Sequence, residues 1–499
     1  MTNPLHDLLF AARAGSAAPF LHLPGGRTLS HADFDRLSAR IAHAFVAQGL
    51  APGDRVAMQV AKSPEALAVV GACARAGLVI LPLNPAYTPA ETEYFVTDSG
   101  ARLFVCDPGD AEAMAKVLDG VQVMTLSADG QGTLAQAAAD APDTFVTVPR
   151  DGGDLAALLY TSGTTGRSKG AMLSQDNLIS NAQTLAREWR FTESDVLIHA
   201  LPIFHTHGLF VATNVVLATG GTMIFLPKFD LDAIVAALPQ ATAMMGVPTF
   251  YTRLLDDGRF DRALAGHMRL FVSGSAPLLA ETHRAFEART GHRILERYGM
   301  TETNMNTSNP YDGDRRAGTV GLPLPGVELR IVEGDGPVAP GRTGTIEVRG
   351  PNVFQGYWNM PEKTAEELSP DGWFTTGDLG TQDADGYVTI VGRAKDLIIS
   401  GGYNVYPKEV EEVLDDCPGV LESAVVGLPH ADLGEVPVAI LVAQPGTSPD
   451  LAAVEERLRA ALARYKHPAR MVVADELPRN TMGKVQKAAL RRTYADLLA

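Results

Sequence analysis

Strand-like runs alternate with helix-like stretches along the N-terminal half of the chain, and this alternation constrains the fold more than any other feature. Runs at 55–60, 78–81 and 103–106 have the composition of buried strands, and 65–76 has the pattern of a helix. Strands and helices that alternate at this spacing are typical of layered α/β folds with parallel sheets. We therefore predict an α/β fold, for which 499 residues provide a large core.

Two further patterns predict helices with defined starts. Ser30 and Asp33 form a capping-box pattern ahead of an apolar helical stripe. Pro407 is expected at the first position of a helix near the C-terminus, and 451–465 is predicted to form a second amphipathic helix there. Between these regions the sequence becomes rich in glycine and short β-like runs from about residue 315, which indicates a smaller β subdomain.

Charge and cysteine content limit the partners and the compartment. The net charge of −16 opposes binding to nucleic acids or anionic membranes, yet a local basic pocket can still bind a small anion. Cys73, Cys106 and Cys417 are odd in number and lack metal-site spacing, so neither a disulfide framework nor a cysteine zinc site is indicated. No signal-peptide pattern or membrane-spanning apolar run is found. These features favour the reducing cytoplasm.

A loop rich in glycine and hydroxyl groups follows a buried strand predicted at 155–159. Glycines let the backbone approach a ligand closely, and hydroxyls with a lysine supply donors for a polyphosphate. The candidate phosphate-binding residues are Thr161, Ser162, Gly163, Thr164, Thr165, Gly166 and Lys169. The alternative is a flexible surface loop. The chain lacks a Walker A pattern, which disfavours a conventional P-loop ATPase or kinase.

This loop is the first of six motifs that follow one another in a fixed order. The others lie at 274–277, 298–302, 376–378, 392–396 and 478–484. Together they resemble the motifs of the adenylate-forming superfamily, which includes acyl-CoA synthetases, luciferases and peptide-synthetase adenylation domains. The resemblance implies a large N-terminal domain over 1–394, with its β subdomain at about 315–392, and a small mobile C-terminal α+β domain over 395–499.

The resemblance implies activation of a carboxylic acid by ATP, followed by transfer of the acyl group to coenzyme A. Both steps concentrate negative charge, so the site needs cations and fixed hydrogen-bond donors. By their positions in the family motifs, the nucleotide-binding and CoA-binding residues are Ser275, Ala276, Pro277, Glu296, Tyr298, Gly299, Met300, Asp378, Arg393, Gly401, Gly402 and Tyr403.

Four residues have more specific roles implied by the resemblance. Glu302 would bind Mg²⁺, an ion that prefers carboxylate oxygens, and Thr301 would hydrogen-bond the α-phosphate. Lys484 would contact the acid and the α-phosphate in the first step. Lys395 would be the hinge about which the C-terminal domain turns between the steps. A lysine acetyltransferase that acts on Lys484 would neutralise it, and we expect this to block adenylation.

His205, His207 and Arg253 are the candidates for the acid-binding pocket. His205 matches the family position that gates the acyl site, and without a third ligand nearby we favour gating over a zinc site. Arg253 or His207 would pair with the distal carboxylate of a dicarboxylic acid. Arg253 is equally consistent with a helix-capping role and a salt bridge to Asp256 or Asp257.

The wider sequence favours one acid. Segments that resemble the malonate-activating members of the superfamily lie at 198–210, 226–229, 296–314 and 351–354. Malonate is therefore the expected substrate, with methylmalonate or another short-chain or aryl acid as the alternative. Two other classes stay open. A nucleotide-binding protein without catalysis would bind ATP but not exchange pyrophosphate, and a luciferase-like oxygenase would lack a dicarboxylate pocket.

Overall fold

The computed structural model describes residues 2–161, 168–334, 336–400, 403–430 and 433–498. The chain forms two compact units, one of Met1–Glu328 with Val348–Phe374 and the other of Leu329–Glu347 with Thr375–Ala499. The domain boundary predicted at Lys395 remains a prediction.

The first unit contains a six-stranded sheet with the order β6-β5-β3-β4-β7-β8. Its strands are β3 Arg55–Gln59, β4 Val79–Pro82, β5 Leu103–Cys106, β6 Gln122–Thr125, β7 Leu155–Thr161 and β8 Lys169–Ser174. Strands β3 to β6 pair in parallel, and β8 is antiparallel to β7. The predicted strands and the parallel α/β architecture are confirmed.

A nine-stranded sheet in the same unit has the order β15-β14-β13-β12-β11-β9-β10-β1-β2. Its strands are β1 Pro19–His22, β2 Thr28–Ser30, β9 Val196–His199, β10 Thr222–Phe225, β11 Ala243–Gly246, β12 Leu270–Ser273, β13 Leu295–Met300, β14 Asn304–Ser308 and β15 Leu322–Pro323. Strands β9 to β13 run in parallel. Ligands of open α/β sheets bind beyond the carboxyl ends of such strands, and several predicted site residues follow β9 and β12.

Helices surround these two sheets. They are α1 Pro4–Leu9, α2 His31–Ala47, α3 Pro64–Ala76, α4 Pro89–Ser99, α5 Ala111–Val117, α6 Thr133–Ala139, α7 Gln175–Glu188, α8 Asn214–Thr219, α9 Leu231–Ala237, α10 Pro248–Leu255, α11 Arg262–Ala265, α12 Ala280–Thr290 and α13 Pro361–Glu367. The Ser30–Asp33 capping box forms as predicted at the start of α2. A seven-residue π-helix, His207–Thr213, precedes α8 and is fully buried.

Two five-stranded sheets are built mainly from the second unit. One has the order β17-β16-β18-β19-β20, from β16 Glu328–Glu333, β17 Gly336–Pro337, β18 Gly344–Arg349, β19 Phe374–Gln382 and β20 Val388–Arg393. The other has the order β22-β21-β24-β23, with β25 on β24, from β21 Ile398–Ser400, β22 Tyr403–Val405, β23 Val420–His430, β24 Gly434–Ala443 and β25 Arg470–Ala474.

The helices of the second unit are α14 Pro407–Asp415, α15 Leu451–Ala461 and α16 Lys487–Thr493. Pro407 is the first residue of α14, as predicted. The helix predicted over 451–465 is too long. It ends at Ala461, because Leu462 adopts an extended backbone and packs against the core of this unit. In the described part of the chain, no helix combines the length and apolar character that a membrane span requires.

Candidate active site

The predicted phosphate loop joins the antiparallel strands β7 and β8. Thr161 is paired in register with Lys169, so both lie at the mouth of the loop. Ser162, Gly163, Thr164, Thr165 and Gly166 lie outside the described residues. Lys169 Nζ contacts the Glu367 carboxylate at 3.1 Å and lies 4.0 Å from the centre of the Tyr357 ring. A polyphosphate at this loop would therefore compete with Glu367 for the lysine ammonium.

Glu302 is a buried carboxylate beside the same tyrosine. Its Oε1 accepts hydrogen bonds from the Tyr357 hydroxyl at 3.1 Å and from the Thr161 hydroxyl at 3.5 Å. The Tyr357 hydroxyl also lies 2.6 Å from Glu367. Burial and these carboxylates raise the pKa of Tyr357, so its hydroxyl stays protonated. The donor set is entirely oxygen and carries negative charge, which fits Mg²⁺ held through Glu302.

A tight hairpin positions the residues around Glu302. Tyr298, Gly299 and Met300 end β13, and Thr301 begins the turn into β14. A Cβ at residue 299 would lie 1.8 Å from the carbonyl oxygen of Asn304, so only glycine lets the two strands close on each other. The hairpin thereby fixes the backbone from Tyr298 to Met300, directly before Thr301 and Glu302 in the turn.

Arg297 is the most unusual residue of the first unit, and sequence reasoning did not single it out. Arg297 is 4% exposed, and its Nε and Nη2 have no hydrogen-bond partner among the described residues. Burial lowers the pKa of Arg297 to about 9. Gly274 makes room for it, because a Cβ there would lie 2.3 Å from the guanidinium carbon. A buried guanidinium with vacant donors is chemically suited to bind an anion.

Both predicted histidines lie within the electrostatic reach of this guanidinium. His207 is fully buried, its Nδ1 lies 3.1 Å from Ser275 Oγ, and its Nε2 has no partner among the described residues. The His205 Nδ1 accepts a hydrogen bond from the His207 backbone at 3.2 Å. Burial, followed by the charge of Arg297, lowers the pKa of His205 to about 4 and the pKa of His207 well below its usual value. Both rings are therefore neutral at physiological pH.

Ser275 reaches His207 through a strained backbone. Its φ of 72° is in the left-handed region, which residues other than glycine rarely adopt. Such strain persists where the surrounding structure fixes it, often at ligand sites. The neighbouring Ala276 is half-buried and Pro277 is exposed, so this segment has surface available for a ligand.

Arg253 is exposed on the last turn of α10, where its guanidinium lies 5.4 Å from the centre of the Phe229 ring. Asp257 pairs instead with Arg259 at 2.6 Å. No ion pair within the described ranges joins Arg253 to Asp256 or Asp257, so the salt bridge considered for it does not form. Its role in acid binding stays a prediction.

Glu296, another predicted nucleotide-binding residue, is buried next to helix α12. Its carboxylate lies 3.2 Å from the Nδ1 of His283, on the buried side of α12. This contact ties the start of β13 to α12. The predicted role of Glu296 in nucleotide binding is not tested by this contact.

In the second unit, Asp378 and Arg393 face each other across β19 and β20. They are paired in the strand register, and Arg393 Nε lies 2.6 Å from Asp378 Oδ1. Asp378 is 4% exposed, and Arg393 also approaches the carbonyl of Thr376 at 3.4 Å. The ion pair holds a buried carboxylate in one orientation, as is needed to accept hydrogen bonds from vicinal hydroxyl groups.

Lys484 belongs to a loop that is held by its own hydrogen bonds. The Asn480 side-chain oxygen accepts from the backbone of Met482 at 3.0 Å and of Lys484 at 2.9 Å. The Arg479 guanidinium donates to the carbonyl of Gly483 at 2.5 Å and forms an ion pair with Glu422 on β23. The loop backbone is thus fixed, while the Lys484 side chain keeps exposed surface.

The Lys484 ammonium lies among charged groups of the same unit. Desolvation by these neighbours, with Arg393 and Lys395 adding to it, lowers the pKa of Lys484 to about 8. Asp378 and Asp396 act in the opposite direction. The structure therefore brings together Lys484, Asp378, Arg393 and Lys395, four residues that belong to three of the predicted motifs.

The predicted CoA loop is described only in part. Gly401 and Gly402 lie outside the described residues. Tyr403 is 60% exposed, and its ring stacks on that of Tyr465 with centroids 4.9 Å apart. An exposed aromatic pair beside two glycines provides a surface on which a ligand can pack.

These features define an enzyme that handles a nucleotide and a small acid, and the chain belongs to the AMP-binding enzyme family. The family model matches residues 10–358, and the model of the AMP-binding enzyme C-terminal domain matches residues 409–484. The superfamily predicted from the six motifs is thereby confirmed.

The chain is also similar to individual proteins of known activity or structure. The crystal structure of ATP-bound MatB from Rhodopseudomonas palustris is 55% identical, covers 100% of both chains and has a TM-score of 0.98. The malonate–CoA ligase of Arabidopsis thaliana is 35% identical over 90% of this chain and 79% of its own. The feruloyl-CoA synthase of an Amycolatopsis species is 37% identical over 94% of this chain and 95% of its own.

Proposed function

We propose that the chain is an ATP-dependent malonate–CoA ligase. A malonate carboxylate attacks the α-phosphate of ATP, which forms malonyl-adenylate and releases pyrophosphate. The CoA thiolate then attacks the acyl carbon, which forms malonyl-CoA and releases AMP. The Arabidopsis thaliana relative, named for malonate, and the likeness to ATP-bound MatB support this assignment.

The observation that carries the proposal is the buried guanidinium of Arg297, whose Nε and Nη2 have no hydrogen-bond partner among the described residues. An acid with a second carboxylate supplies the missing charge and fills both vacant donors in the bidentate manner that arginine favours. Neutral His207, whose Nε2 has no partner among the described residues, offers a further polar contact beside it. An aryl acid would leave this charge buried and uncompensated, so a feruloyl-type substrate is disfavoured.

Each unit, taken by itself, contributes residues to the proposed handling of the nucleotide. In the first, Lys169 and the hairpin residue Thr301 serve the phosphates. Glu302 would hold Mg²⁺, which would supply positive charge to offset that of the phosphates. In the second, Asp378 binds the ribose, and Lys484 stabilises the charge that develops between the acid and the α-phosphate.

Several finer assignments belong to the same proposal. Lys395 is the hinge for the second step, and Tyr403 with its neighbouring glycines admits CoA. The three cysteines are buried and free, which suits the reducing cytoplasm as the site of action. An acetyltransferase would find Lys484 accessible, because the residue keeps exposed surface on its loop.

The test is thioester formation with ATP, Mg²⁺ and CoA against acetate, malonate, methylmalonate, succinate, sulfoacetate, octanoate and ferulate. We expect malonate to have the highest kcat/KM, with methylmalonate nearest to it because one methyl group changes binding by only about 1–3 kcal/mol. A preference for acetate, octanoate or ferulate would retain the ligase chemistry and discard the dicarboxylate assignment. ATP binding with no thioester from any acid would overturn both.

A further inference from the structure

A second lysine of the first unit has contacts that the reaction described so far does not use. Lys62 lies in the loop between β3 and α3, and its Nζ is 2.8 Å from His199 Nδ1, 2.8 Å from the His199 carbonyl and 2.9 Å from the Leu201 carbonyl. The ammonium also lies 4.2 Å from the centre of the Phe225 ring. Within the described ranges, no carboxylate lies within 4.0 Å of it.

These contacts determine the protonation state of Lys62 and the tautomer of His199. Three acceptors match the three hydrogens of an ammonium, and the Phe225 ring below it suits a cation. Burial lowers the pKa of Lys62, and these acceptors favour the charged form against that effect. Because His199 Nδ1 accepts from Lys62, the ring proton must be on Nε2.

His199 connects Lys62 to the π-helix through its second ring nitrogen. Its Nε2 lies 2.9 Å from the carbonyl of Gly208, which also accepts from the Thr213 hydroxyl at 2.8 Å. Residue 208 packs tightly and must be glycine, because a Cβ there would lie 2.0 Å from the carbonyl oxygen of Pro202. Lys62 therefore ties down the segment 199–208 at its start directly and at its end through His199.

The tethered segment contains both histidines of the acid pocket. His205 and His207 lie between the two tethers, and a hydrogen bond of 2.9 Å from the Leu209 backbone to the His205 carbonyl closes the turn between them. We propose that Lys62, acting through His199, is a positioning residue that holds His205 and His207 in place for acid binding. This inference rests on the malonate ligase assignment and adds a specificity-determining residue to it.

A purely structural lysine would predict a different outcome on substitution. Loss of the ammonium would then lower thermal stability and the apparent affinity for every substrate together. A positioning role predicts a change confined to the acid, because the hydrogen bonds that place Glu302 beside Tyr357 and Thr161 do not involve the tethered segment. The split between the KM for malonate and the KM for ATP distinguishes the two roles.

The experiment compares Lys62→Met, which keeps the length and removes the donors, with Lys116→Met on the exposed face of α5 as the matched control. We expect Lys62→Met to raise the malonate KM about tenfold, with the ATP KM within about twofold of the wild type. Lys62→Gln, a milder change that keeps donors, should give an intermediate rise. In Lys62→Ala, added ethylamine should restore malonate turnover and ethanol should not.

Three results would overturn the inference. They are an unchanged malonate KM in a folded Lys62→Met protein, an equal rise of both KM values, and equal rescue by ethanol. The wild-type enzyme is measured on malonate in the same series. Absence of malonate turnover in the wild type would count against the proposed function, whereas a normal wild type with unaffected variants would count against Lys62 alone. If Lys62→Met does not fold, Lys62→Gln and the rescue experiment carry the test.

Discussion

Two arginines, one in each compact unit, lie in opposite environments. Arg297 is buried with two nitrogens lacking a partner among the described residues, whereas Arg393 is half-buried and pairs with Asp378 at 2.6 Å. Stranding a buried charge costs about 3–5 kcal/mol, so an unpaired guanidinium is retained where a ligand completes it. The paired arginine instead orients a carboxylate. Under the proposed function, Arg297 of the first unit would recognise the acid, and Lys484 of the second would supply charge for the reaction.

The largest expected effect comes from the second unit. Lys484→Ala should reduce malonate-dependent pyrophosphate exchange about 10³-fold, because the cation that stabilises the developing charge is lost. Thioester formation from preformed malonyl-adenylate should continue, since Lys484 is proposed to act in the adenylation step. Normal pyrophosphate exchange in this variant would remove Lys484 from the reaction and weaken the division between the units.

The next effect tests the first unit. Arg297→Met should lower kcat/KM for malonate about 100-fold and have less effect on acetate, because the distal carboxylate loses its partner. Its melting temperature should be unchanged or higher, since a partnerless buried charge is removed. Arg393→Met should instead lower the free energy of unfolding by about 1.5–3 kcal/mol. Arg253→Ala is measured alongside, because Arg253 is the other arginine predicted to pair with the distal carboxylate. Equal losses with both acids in Arg297→Met would contradict the assignment of Arg297.

The rate of pyrophosphate exchange should depend on pH through Lys484 of the second unit. The pKa of Lys484 is lowered to about 8, so the ammonium is present below that pH and lost above it. Pyrophosphate exchange should then fall about tenfold per pH unit on the alkaline side. Lys484→Arg keeps its charge there, so its slower exchange should lack this alkaline limb. An unaltered limb in that variant would assign it to another group.

The smallest effect concerns the support of the Lys484 loop. Glu422→Gln weakens the ion pair that anchors Arg479, whose guanidinium holds the Gly483 carbonyl. We expect pyrophosphate exchange to slow about threefold with an unchanged malonate KM. Glu455→Gln removes a comparable but remote pair with Arg459 on α15 and should have no effect. A raised malonate KM in Glu422→Gln would show that the units are not separable in this way.

Local patterns were sufficient to predict much of the fold. The capping box of α2, Pro407 of α14 and the buried strands β3, β5 and β7 depend on neighbours in sequence, and each is found as expected. The early end of α15 was missed, because Leu462 leaves the helix to pack in a core that only the folded unit creates. Periodicity carries no information about such distant contacts.

The residues of the candidate active site also depend on distant contacts that the sequence does not reveal. Its motif residues were found by resemblance, but Arg297 follows Glu296 inside a strand and gave no separate signal. What distinguishes it is the space beside Gly274 and two buried nitrogens without a partner among the described residues, and both are properties of the folded chain. Lys62 was missed for a similar reason, since its acceptors lie 137 and 139 residues further along the sequence.

The π-helix His207–Thr213 adds a consequence for the divergence of related enzymes. A π-helix holds its extra residue at some energetic cost, and removing one residue would let the turn relax toward an α-helix. Each residue of an α-helix rotates the chain by about 100° around the helix axis. Deleting one residue would therefore rotate the side chains on one side of the deletion relative to those on the other. Changes of chain length in this turn, and not only replacements of side chains, are thus a short evolutionary route to a ligase for a different acid.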